Sequence, residues 1–110
     1  MANAYKVLGQ VAPAATTDTT LYTDPAATEA VISTIVVANR SAGDLTYNIA
    51  IRPDAATLAN EHYIAKTVTV GASDSTTITL GLTLNAADVI TVQGSSEDLS
   101  FNIFGSEITA

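Results

Sequence analysis

From Leu45 to Arg52 the apolar residues Leu45, Tyr47, Ile49 and Ile51 interleave with Thr46, Asn48, Ala50 and Arg52. A period of two is the mark of a strand that buries one face and wets the other. Upstream, Val31 to Ala38 is apolar on both parities, interrupted only by Ser33 and Thr34, and is rich in β-branched Val and Ile, which favour extended backbone. This predicts a central strand covered on both faces. Between the two runs lies "NRSAGD", whose Asn39, Gly43 and Asp44 suit tight turns. The stretch from Ile32 to Pro53 therefore predicts a β-hairpin, with Pro53 ending the second strand because proline has no N–H to give a ladder.

The rest of the chain repeats the theme. Tyr5–Val11 ("YKVLGQV") and the "TLYT" before Pro25 read as short strands, separated by the Thr- and Ala-rich "APAATTDTT". "DAATLANE" is too short and too weakly helical to stand as a helix and reads as a loop, with Asp54 able to cap at most one turn. His62–Val70 reads as a strand and "GASDS" as its turn; from Ile78 to Leu84 a period of two runs through Gly81, which marks a bulge or a change of sheet. "DVITVQG" and "LSFNIFGSEI" complete the series. About eight short strands with turn signals between them, and no convincing helix, predict a single antiparallel two-sheet β-sandwich, jelly-roll-like or immunoglobulin-like.

Length and composition narrow this further. At 110 residues the chain predicts one domain, 1–110, with residues 1–24 a candidate extended N-terminal arm. Aromatic residues make up only 5% against 47% hydrophobic, so the core is aliphatic. The chain has no cysteine, which removes disulfides, thiolate chemistry and cysteine-ligated metals. A net charge of -7 with only 4 Lys and Arg argues against nucleic acid as a partner. No apolar run reaches the roughly 20 residues a membrane helix needs, and "MANAYKVLGQ" lacks the pattern of a signal peptide, so the expectation is a soluble protein made in the cytoplasm.

Candidate chemistry is sparse. The single histidine, His62, sits in "NEHY" with no nucleophile or orienting acid at a telling distance, and reads as a loop-edge residue beside Tyr63. Asp18, Asp24, Asp44, Asp54, Asp74, Asp88 and Asp98 fall in turn segments, where Asp bends and caps backbone. "SSED" (Ser95–Asp98) lacks the spaced oxygens of a calcium loop, the glycines form no phosphate-binding motif, and the many threonines follow no fixed spacing. Tyr5, Tyr22, Tyr47, Tyr63, Phe101 and Phe104 are too scattered along the chain to announce a carbohydrate platform. No catalytic residue, metal ligand or cofactor site is expected.

Two segments, "TTLYTDPAATEAVISTIVVANRSA" (Thr19–Ala42) and "LGLTLNAADVITVQGSSEDLSFNIFGSEI" (Leu80–Ile108), together with "KVLGQ" and "FGSEIT", resemble a family of small β-sandwich virion proteins from the structural modules of tailed bacteriophages. Asp24 departs from that pattern, standing before Pro25 where an apolar residue is expected, which bears on whether this corner packs inward. The resemblance implies a non-enzymatic protein of the virion, foremost a capsid decoration or cement protein. Its partners would be the major capsid protein or other virion proteins and further copies of itself, with a trimer as one arrangement, and neither nucleic acid nor membrane. The alternatives are a tail, neck or baseplate component, or a module binding glycan or peptide on a host surface. Tyr5, Leu8, Leu21 and Tyr22 are the candidate intersubunit contacts; the competing expectation is that they complete the protomer's own core.

Overall fold

The computed structural model describes residues 2–79 and 81–109. Among them are nine strands: β1 (Ala2–Val11), β2 (Thr19–Thr23), β3 (Thr28–Asn39), β4 (Leu45–Arg52), β5 (Tyr63–Val70), β6 (Ser75–Ile78), β7 (Leu82–Leu84), β8 (Val89–Gly94) and β9 (Leu99–Thr109). Two single 3-10 turns, Pro53–Ala55 and Asn60–His62, fill the β4–β5 connection, so Pro53 does end β4. All pairings are antiparallel. One sheet runs β1-β9-β3, with β6 and β7 lying end to end along the far side of β3; the other runs β2-β8-β4-β5.

The expected two-sheet sandwich is therefore present, and the strand order selects between its two forms. If β6 and β7 count as one broken strand, every step along the chain changes sheet except β4 to β5. An immunoglobulin sandwich sets its first two strands side by side in one sheet, whereas here β1 and β2 lie in different sheets. The arrangement is the eight-position jelly roll, with Gly81 (φ +61°) at the break between β6 and β7 and no change of sheet there.

Two expectations are corrected. β3 and β4 form no hairpin: β3 pairs with β9, β6 and β7, while β4 pairs with β8 and β5, so "NRSAGD" is an arch between sheets. β3 is central but covered on one face only, with Ala30, Ile32, Ile35 and Val37 buried and Val31 36% exposed. Its apolar pattern on both parities has a physical cause. A bulge at Ser33 places one extra residue between Ile32 and Thr34, which switches the inward parity and lets Ile32 and Ile35 both point into the core. Within the candidate N-terminal arm, β1 lies along β9 and β2 along β8.

A second bulge, at Leu8 of β1, faces the first across β9, and it turns Leu8 against the core. Glycine is required at two points here. A Cβ on Gly105, opposite the β3 bulge, would collide with the Val31 carbonyl, and one on Gly9 would collide with the Leu21 carbonyl of β2. The core itself is aliphatic, as composition predicted, with Tyr47 packed edge-to-face on Phe101 at 6.3 Å between centroids.

Candidate functional site

The connections gather at the two ends of the sandwich. At one end the β3–β4, β5–β6 and β8–β9 loops meet around Asn39, which is 3% exposed. Its Nδ2 donates to the carbonyls of Gly43 (2.9 Å), Val70 (3.1 Å) and Gly71 (3.1 Å), and its Oδ1 accepts from the Ser41 amide (2.9 Å) and hydroxyl (2.8 Å). The backbone amides of Asn39 and Arg40 donate to Asp74 and Asp98 carbonyls. One buried amide thus ties the loops with each of its polar atoms engaged.

The other end carries the N-terminal half of β1, the β2–β3 corner and the β7–β8 turn. The Asp24 amide donates to the Asp88 carbonyl (2.9 Å), and the Ala87 amide donates to the Asp24 carbonyl (3.0 Å). The Asp88 carboxylate accepts from the amides of Asp54 and Asn85. Behind the corner, the Tyr22 hydroxyl donates to Glu107 Oε2 (2.6 Å), while Lys6 Nζ lies 2.8 Å from Glu107 Oε1. These bonds hold the Glu107 carboxyl below its usual range, Lys6 first and Tyr22 next, against the opposing pull of burial. Burial and the Glu107 carboxylate raise the Tyr22 phenol far above its ordinary value.

Of the four candidate contact residues, Leu21 and Tyr22 lie in the protomer's core, Leu8 packs against it from the β1 bulge, and Tyr5 is 82% exposed. The surface that Tyr5 belongs to was not anticipated. On the outer face of the β1-β9-β3 sheet, Tyr5, Val31 and Phe104 line a shallow apolar groove with Ser33 and Ser106, and Val7 is 46% exposed on the same strand. β1 is an edge strand, paired with β9 on one side only. Such an edge, with free backbone donors and acceptors beside exposed apolar side chains, is suited to pairing with another chain.

His62 sits half-buried in the second 3-10 turn, its Nδ1 accepting from the Ala59 amide at 3.0 Å. Two of the turn aspartates, Asp44 and Asp74, accept from the backbone amides of Ala72 and Ser75, while Asp18 accepts from the Gln93 side chain. Among the described residues no group of three or more His, Cys, Asp or Glu could hold a metal ion. Comparison with protein-family models, with curated proteins and with solved structures returned no match.

Proposed function

We propose that this chain is a non-enzymatic structural protein of a tailed-phage virion, a decoration or cement protein seated on the capsid lattice in many copies. The sequence resemblance supplies the class, and the jelly roll, a fold used by viral capsid domains among others, agrees with it by analogy. The observation that carries the reading is the edge of β1, where Tyr5 and Val7 stand exposed beside the groove formed with Val31 and Phe104. A lattice protein needs a rigid surface that adds to a neighbour's sheet or apolar patch, and this edge provides one. Its partners are the major capsid protein and further copies of the same chain.

Quantitative mass spectrometry of purified virions tests this. The expected result is a copy number in simple ratio to the major capsid protein, as lattice symmetry requires. A count of a few to tens would move the chain to the tail, neck or baseplate, and its absence from particles would overturn the reading.

A further inference from the structure

Asp24 is 2% exposed, and neither of its carboxyl oxygens, both buried, has a hydrogen-bond partner. A buried charge in that state is costly unless it is paired. The groups that face it make matters worse: Asp88 from the β7–β8 turn, Glu107 from β9 and Glu29 from β3 are all acidic. Tyr22 of β2 donates its hydroxyl to Glu107, Lys6 of β1 is engaged with Glu107 too, and Arg52 at the end of β4 donates to the Ala55 and Ala56 carbonyls and the Thr91 hydroxyl. Among the described residues these acids are not grouped so that three or more could share a metal ion. The remaining ligand that relieves an unpaired buried carboxylate is a proton.

We propose that the Asp24 corner is a proton-operated clasp, closed on the β7–β8 turn when the carboxyl is protonated and loosened when it is ionised. The two backbone bonds between Asp24 and residues Ala87 and Asp88 are what the clasp closes and releases, and the carboxyl is its trigger. Local strain favours release, since Ala27 (φ 55°) and Ala87 (φ 72°) on the two joined turns both hold left-handed backbone without being glycine. Desolvation, then Asp88, Glu107 and Glu29, push the Asp24 carboxyl up to about 6, with only the nearby Ala30 amide acting the other way. Release exposes the carboxyl to water and returns it to its ordinary value, so the open form gains as pH rises through the folded value. The corner borders the cleft lined by Ala27, Glu29, Asn85 and Ile108.

Amide exchange on the purified chain, corrected for intrinsic rates, reads the clasp directly. Between pH 5 and pH 7.5 the opening constant at the Asp24 and Ala87 amides rises about tenfold, from a carboxyl near 6 closed and 3.8 open. The Asn39 and Arg40 amides at the opposite end rise less, and Asp24→Asn abolishes the dependence. Equal rises at both ends, or the same dependence in Asp24→Asn, would overturn the clasp. Carbon-13 titration of the Asp24 carboxyl in the unaltered chain needs no variant: a midpoint near 6 supports the proposal, and one near 4 overturns it.

Discussion

The two ends of the sandwich solve the same problem in opposite ways. Each must bring loops from both sheets together over a buried polar side chain. At one end Asn39 engages carbonyls of three residues and both donors of Ser41; at the other Asp24 has no hydrogen bond to its carboxyl and faces three more acids. A neutral amide can be satisfied by backbone alone, while an ionised carboxylate requires donors that the β2–β3 corner does not supply. Burial by itself therefore says nothing about the sign of a polar residue's contribution. Asn39 locks its end, whereas ionised Asp24 loads the other, and the loaded end is the one carrying the exposed edge of β1.

The sharpest break in the comparison is Asn39→Ala. It leaves the Val70 and Gly71 carbonyls without their donor and should lower stability by about 3 kcal/mol in urea denaturation. Asp24→Asn should do the reverse at pH 7.5, raising stability by about 2–3 kcal/mol, with most of the gain gone at pH 4, where the native carboxyl already carries its proton. The sign follows from the raised folded value of Asp24: its favourable state is complete below the unfolded pKa and is lost as pH rises through about 6.

Glu107 acts oppositely. Its carboxyl is depressed by Lys6 and Tyr22, so its contribution is present above the unfolded value and fades as pH falls below it. The two groups together shift maximum stability to the acid side of neutrality in a series of melts across pH. Glu107→Gln should cost about 1 kcal/mol at pH 7, a modest effect because Lys6 is half exposed, and should also ease Asp24. Ala87→Gly, at a left-handed position, should stabilise the corner by about 0.5–1 kcal/mol. The smallest change in stability belongs to Tyr5→Ala, within about 0.5 kcal/mol by the same melts, yet it should weaken binding of the chain to capsids in a sedimentation assay. Unchanged binding would separate Tyr5 from the contact surface.

Much of the architecture was legible because it is local. The alternation in β4, the turn signals and the stop at Pro53 depend on neighbours in sequence, and those elements stand where expected. What depends on distant partners was not. The "NRSAGD" loop suits a hairpin or an arch equally well, and only the pairing of β3 with β9 decides between them. The double apolar parity of β3 reads as two buried faces until the Ser33 bulge is known to shift the phase. At the candidate site, Tyr5 was visible as an apolar residue in a short strand, but its exposure is set by β1 lying at a sheet edge. Asp24 read as a turn residue before proline. Its burial comes from the β7–β8 turn closing over it, and its electrostatics from groups such as Glu107, whose partner Tyr22 is 85 residues away.

The position proposed for this sandwich is on a capsid lattice, with β1 at the contact. Electron cryomicroscopy of the intact virion, at a resolution that traces strands, tests it most directly. The expected result is symmetric density for the jelly roll on the outer face of the head, with Tyr5 and Val7 against a neighbouring chain. Density for this fold at the tail alone, or none on the particle, would contradict it.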